Sequence, residues 1–213
     1  MNAIVYCSQT GHTAQYARLL AQRLELPAYP LPAALDALPR GAEVIFLSWL
    51  CAGMPKGWKK AHRAFHIAAM AVVGLSTDGR PQLPGVLQRC GLSHTFPLFY
   101  LPGGYEKAQL RGGYRILMNA MEKKCIRQLL EKPRRTDGEE AVLELWQHGG
   151  NLVDAKHLAA LAAWCRQARH AGASSESPLP SKEPPRSERY KIRRVPGSRQ
   201  DREHAAFQLD AVS

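Results

Sequence analysis

Residues 3–13 read Ala3-Ile4-Val5-Tyr6-Cys7-Ser8-Gln9-Thr10-Gly11-His12-Thr13. An apolar run ends in a hydroxyl-rich turn, after which Ala14, Ala17, Leu20, Ala21 and Leu24 recur at helical spacing. A buried strand that turns directly into a helix is the building unit of parallel α/β sheets. Such a turn aims backbone N–H groups and the positive end of the helix at one spot, an anion site. Ser8, Thr10 and Thr13 each carry a hydroxyl, and Gly11 allows a bound group to approach the backbone closely. The turn contains no lysine or arginine. That suits a phosphate ester held by neutral donors better than a triphosphate with its lysine and metal.

Working outward, Glu43-Val44-Ile45-Phe46-Leu47-Ser48 is a near-continuous apolar run, as a strand covered on both faces of a parallel sheet requires. Residues 69–75 and 95–101 read as two more strands, and 28–31 as a short edge strand within a proline-rich stretch. Helices are expected at 12–24, 58–67 and 83–90, with loops at 49–57 and 76–79. Strand and helix alternate, which predicts an α/β fold with a three-layer, five-stranded parallel sheet. After the last strand, Pro102-Gly103-Gly104-Tyr105 forms a turn. A long helix over 107–130 follows, carrying Leu110, Tyr114, Leu117, Met118 and Met121 beside Arg111, Arg115, Lys123, Lys124 and Arg127. A polar break at 132–138 separates it from a weaker helical segment at 139–147. Asp154 then reads as the N-cap of a closing helix through Leu158, Leu161 and Trp164.

The chain of 213 residues has room for one ordinary domain, 1–172, plus a Pro/Ser-rich basic tail, 173–213, whose prolines exclude a stable helix over most of it. The Tyr190-Lys191-Ile192-Arg193-Arg194 cluster in that tail reads as part of a solvated linker. Hydrophobic residues make up 45%, enough for a core, and no apolar run reaches the length of a membrane span. No secretion signal is visible, and the five cysteines show no Cys-x-x-Cys pair. A reduced, cytoplasmic protein without structural zinc is expected. The net charge is +11, and residues 1–172 hold 21 basic against 12 acidic residues, so the excess belongs to the folded part. Anionic small molecules, an anionic membrane surface or nucleic acid are the partners that charge allows; no nucleic-acid recognition motif accompanies it.

Ser8-x-Thr10-Gly11-x-Thr13 directly after the first strand resembles the FMN-phosphate loop of the flavodoxin family. Residues 44–57 and the Tyr-Leu-Pro-Gly-Gly-Tyr segment with the basic, methionine-bearing helix beyond it are similar to the subgroup that includes menaquinone-dependent protoporphyrinogen dehydrogenase. The resemblance implies strand order 2-1-3-4-5, with FMN at the switch between the first and third strands. The phosphate would sit on Ser8, Gln9, Thr10, Gly11, His12 and Thr13. The flavin ring would lie between the loop of Trp49, Leu50, Cys51, Ala52 and Gly53 and the loop of Ser76, Thr77, Asp78 and Gly79. Trp49, where the family commonly has glycine, would flank the ring, and residues 77–79 would offer backbone groups to its pyrimidine edge.

These readings imply an FMN-dependent oxidoreductase or electron-transfer protein with no acid–base catalytic residue. A protoporphyrinogen dehydrogenase-like enzyme using quinone is the second possibility, and a flavin-free interaction module on the same fold is the third. Expected partners are a redox protein, a quinone or a small anionic substrate. The basic helix over 107–130 could place the protein peripherally on the inner face of a membrane. His62 and His66, four apart on the expected 58–67 helix, are a weak metal pair with no third ligand nearby, and Cys51 is a filler or a thiol near the flavin. No Gly-x-Ser-x-Gly elbow points to hydrolysis.

Overall fold

A computed structural model describes residues 1–110 and 112–173. The expected tail beyond residue 173, its 190–194 cluster, and Arg111 lie outside the described residues.

The apolar runs form the strands of one sheet. In chain order they are β1 (Ala3–Cys7), β2 (Ala28–Pro30), β3 (Glu43–Cys51), β4 (Met54–Pro55), β5 (His66–Gly74) and β6 (Leu98–Pro102). Five of them run parallel in the order β2-β1-β3-β5-β6, and β4 pairs antiparallel with the end of β3. Side chains alternate across this sheet with period two. Ile4, Ile45, Leu47, Ala69, Ala71 and Val73 bury against α1 (His12–Leu24), the turn Ala155–Leu158 and α7 (Ala159–Ala173). Val5, Val44, Phe46, Met70 and Val72 bury against α2 (Leu31–Ala37), α3 (Trp58–Ala64) and α4 (Leu83–Cys90). The result is an α/β fold of three layers around a mostly parallel sheet. Phe46 is wholly buried in the second of these cores, so its truncation to alanine would cost about 3–5 kcal/mol.

Four boundaries differ from the sequence reading. β3 runs on through Cys51, so Trp49, Leu50 and Cys51 belong to a strand and not to the expected loop. The strand can extend because Ala52 and Gly53, with φ of 50° and 72°, make a two-residue reverse turn into β4. Positive φ at both central residues is the hairpin geometry that matches strand twist. α3 ends at Ala64, and His66 already pairs with Glu43 as the first residue of β5. His62 and His66 therefore do not share a helix face, and the His62 ring stacks on Trp58 instead. α2 occupies part of the ambiguous proline-rich stretch, opening at Pro32 in its first turn, where the missing N–H costs nothing. Residues 95–97 precede β6 as a turn rather than forming part of the strand.

Between β6 and the closing helix lies an inserted subdomain. It contains β7 (Gly104–Tyr105), a 3-10 turn (Lys107–Gln109), α5 (Gly112–Leu130), α6 (Asp137–His148) and β8 (Gly150–Asn151). β7 and β8 pair antiparallel and close it at its base. Thr136 and Glu139 form a reciprocal capping box that starts α6 inside the expected polar break. Tyr105, Leu110, Leu145 and Trp146 make its own small core, with the Tyr105 and Trp146 rings 4.7 Å apart. Asp154 caps the closing segment as expected, accepting from the Lys156 N–H at 2.8 Å.

Candidate functional site

Cys7, Ser48, Val72 and Tyr100 lie in register across the four neighbouring strands β1, β3, β5 and β6. The segments that follow them therefore emerge on one edge, at the carboxyl ends of the strands. This is where open α/β sheets bind ligands, at the point where the strand order reverses. Residues 8–13, the 49–53 hairpin and residues 74–79 are thus brought together, although they are far apart in the chain.

The 8–13 turn wraps the N-terminus of α1. Gly11 is the N-cap of α1 with φ of 91°, a conformation costly for any residue with a side chain. A β-carbon there would meet only the side-chain amide oxygen Oε1 of Gln109, 3.9 Å away. Ser8 Oγ accepts from the Ala14 N–H at 3.3 Å, which leaves its own proton to donate elsewhere. Thr10 Oγ1 and His12 Nδ1 are 3.0 Å apart. Thr13 is 2% exposed and His12 7% exposed, so both are buried at the start of α1. Burial pushes His12 below its ordinary pKa of 6.5, while Glu106 pulls it part of the way back. His12 is therefore held toward its neutral form at the helix N-terminus, beside the hydroxyl of Thr10.

The 49–53 segment is differently arranged from expectation. The Trp49 ring meets the Tyr114 ring of α5 edge to face, and Lys56 Nζ lies 5.7 Å from the Trp49 centroid and 5.1 Å from that of Tyr114. Ser48 Oγ donates to the Lys56 carbonyl at 2.7 Å, which ties the hairpin shut. The Arg89 guanidinium lies over Gly53, where a β-carbon would fall 2.0 Å from it. Leu50 pairs with Pro55 and Cys51 with Met54 in the hairpin, and Cys51 is almost fully buried. All five cysteines carry free thiols, and burial raises that of Cys7, at the end of β1, in spite of Lys56 and Lys60.

Tyr100 organises the 74–79 segment from beneath. Its hydroxyl accepts from the Ser76 N–H at 2.9 Å and donates to the Ser76 carbonyl at 3.0 Å. A β-carbon on Gly79 would lie 2.0 Å from its ring, so glycine is required for this close approach. Burial raises the Tyr100 pKa far out of the physiological range, leaving the phenol protonated as a donor. Ser76 Oγ donates to the Asp78 carbonyl, and Asp78 takes a two-pronged bond from Arg80 that holds its carboxyl down near pKa 2. Asp78 is thus engaged sideways with Arg80.

The inserted subdomain touches all three segments. Gln109 reaches toward Gly11, Tyr114 packs on Trp49, and Gly138 of α6 lies against Thr77 Oγ1. Gly104 presses on the His12 imidazole so closely that a β-carbon would fall 2.3 Å from Nε2. Beside Thr77 opens a cleft of about 320 Å³, with Pro102, Asn151, Lys156 and His157 in its wall. Beneath it the Tyr16 hydroxyl donates to the Pro102 carbonyl at 2.7 Å and sits 2.9 Å from His157 Nδ1, which fixes that ring. Burial pushes the Tyr16 pKa up to about 12.

Sequence reasoning missed Lys56, Tyr100, Gln109 and Gly138 as neighbours of the site. Tyr114 was visible only as one apolar position of a helix. The glycines at 79 and 104 carried the available signal, since isolated glycines beside strand ends mark close approach. No group of three or more metal-ligating side chains occurs among the described residues. No helix among them is long and apolar enough to cross a membrane. Comparison of the chain with known protein families, curated proteins and solved structures returned no match.

Proposed function

We propose that this protein is an FMN-binding oxidoreductase of the flavodoxin-like type. The carrying observation is the 8–13 turn, a glycine-capped helix N-terminus at the reversal point of a parallel sheet ordered β2-β1-β3-β5-β6. Its donor set fits a phosphate monoester, with hydroxyls of Ser8, Thr10 and Thr13 and the first two N–H groups of α1, which have no acceptor within the helix, the third being taken by Ser8 Oγ. The absence of lysine and arginine from the turn fits the same group, whose charge a helix end and neutral donors can hold. When bound, FMN supplies hydride or single-electron transfer. The chain's own residues position and shield. Tyr100 fixes the 74–79 loop through both backbone groups of Ser76 and so would hold that loop in place beside a bound ring. Trp49 and Tyr114 keep water from one side, and the Lys56 ammonium favours negative charge nearby.

The inserted subdomain lies over the edge that a small electron-shuttling protein would leave open to its partner. A covered site suits a small substrate, and the cleft beside Thr77, with His157 and the ion pair of Lys156 and Asp154 in its wall, offers it polar contacts. The chain's net charge of +11 favours an anionic reductant, a dicarboxylate substrate of the porphyrinogen kind or quinone at an anionic membrane. A second reading, a flavin-free interaction module, is favoured by one observation: Trp49 already has its ring against Tyr114 and Lys56.

The test is the visible spectrum of the purified full chain, followed by identification of any released chromophore and titration of the colourless protein with FMN. The expected outcome is one FMN per chain. A protein that carries none and takes up none refutes the redox reading and leaves the interaction module.

A further inference from the structure

Three of the four large apolar side chains most exposed among the described residues lie on a single helix, α5. Ile116 is 75% exposed, Leu130 55% and Leu117 42%. At about 100° per residue, Leu130, Lys123, Ile116, Arg127, Lys124 and Leu117 follow one another around a single arc of the helix. All six side chains are exposed. The opposite side, with Met118, Met121, Cys125 and Ile126, packs into the core of the inserted subdomain. The helix therefore has an apolar face inward and an apolar-and-cationic face outward. Its single carboxylate, Glu122, is turned away from that arc and held by the Tyr105 hydroxyl and the Lys107 ammonium.

We propose that α5 docks the protein on an anionic lipid surface, with Ile116, Leu117 and Leu130 entering the headgroup boundary and Lys123, Lys124 and Arg127 meeting lipid phosphates. Interleaved aliphatic and cationic residues on one face of a helix of this length are the pattern of an interfacial helix. The aliphatic residues favour lipid over nucleic acid, whose backbone gives them nothing to bury against. The cations disfavour a second copy of this chain, because a symmetric pairing would set like charges face to face. Tyr114, at the start of α5 but off that arc, packs on Trp49, so the helix proposed to dock also covers the site described above. The inference does not depend on any cofactor.

The experiment is sedimentation of the full chain with vesicles of phosphatidylcholine alone and of phosphatidylcholine with one-quarter phosphatidylglycerol. Binding is expected only to the anionic vesicles and is expected to weaken with added salt. Replacing Lys123, Lys124 and Arg127 together by Gln should lower the partition coefficient on the order of 100-fold, at roughly one fivefold step per cation. Ile116→Asn with Leu117→Asn should reduce it on the order of tenfold while leaving the salt dependence in place. Because all these side chains are exposed, the variants should keep the wild-type thermal midpoint, which verifies that they fold. No binding to anionic vesicles, or undiminished binding by either variant, overturns the proposal. So does tighter binding to a nucleic-acid duplex that ignores the Ile116→Asn change, or a dimer abolished by that change. Flavin content read on the same samples keeps this result separate from the FMN reading, since a flavin-free protein that sediments with anionic lipid supports docking alone.

Discussion

The Trp49 and Tyr114 rings meet edge to face, with centroids 5.5 Å apart and planes inclined at 75°. This contact joins the end of the third strand to the first turn of α5, and Lys56 lies over both rings. It couples the inserted subdomain to the carboxyl edge of the sheet, so its strength can be measured as a property of that coupling.

A double-mutant cycle with Trp49→Ala and Tyr114→Ala should give a coupling energy of about 0.5–1.5 kcal/mol in denaturant unfolding. Lys56→Met should take away a further ~0.5–1 kcal/mol, with less loss in Trp49→Ala, where half of the cation's aromatic contact is already gone. Strict additivity of the Trp49 and Tyr114 changes would show that the insertion is not held through this pair.

Tyr100→Phe removes the group that serves both the Ser76 N–H and the Ser76 carbonyl. The expected cost is about 1–3 kcal/mol, and hydrogen exchange at the Ser76 amide should accelerate. Gly79→Ala acts on the same contact from the other side, because its β-carbon would fall 2.0 Å from the Tyr100 ring. Unchanged Ser76 exchange in Tyr100→Phe would mean that water holds the loop equally well.

Thr10→Val and Thr13→Val keep shape and remove hydroxyls from the 8–13 turn. If that turn holds a phosphate ester, each change should weaken FMN binding about 10–100-fold, at roughly one hydrogen bond to a charged group per hydroxyl. Fluorescence quenching of added FMN gives the affinity directly. Undiminished affinity would place the phosphate elsewhere.

His12 makes a pH prediction whose sign follows from burial. Its native pKa lies below the ordinary 6.5, because desolvation disfavours the imidazolium more than Glu106 favours it. Below about 6.5 the unfolded chain therefore takes up a proton that the native chain refuses, and stability falls as pH drops toward the native value. The slope is at most about 1.4 kcal/mol per pH unit within that window, and the contribution is fully present above it. His12→Gln lacks this titration. Urea unfolding of both proteins between roughly pH 5 and 7 should show the wild type losing ground to the variant as pH falls. A constant difference would mean that His12 titrates normally.

Much of this architecture was legible along the chain. Ala3-Ile4-Val5-Tyr6, Val44-Ile45-Phe46-Leu47 and the helical spacing from Ala14 to Leu24 identify their elements through local burial patterns, and Asp154 identifies a cap through its own short hydrogen bond. The first-strand turn with Gly11 was readable for the same reason: strand, turn and helix are neighbours in sequence. The end of β3 was not, because Trp49-Leu50-Cys51 becomes strand only through pairing with Val73 on one side and Met54–Pro55 on the other. His66 looked helical until the pairing with Glu43 claimed it.

The site divides along the same line. Three hydroxyls and a glycine after a strand point to an anion cradle from sequence alone, since the donors lie within six residues. The rest depends on partners tens of residues away. Tyr100 beneath Ser76, Tyr114 on Trp49, Gln109 above Gly11 and the aliphatic arc of α5 turned outward are set by strand register and by the docking of the insertion. Those are long-range choices that no local periodicity encodes, and only the tertiary structure makes them.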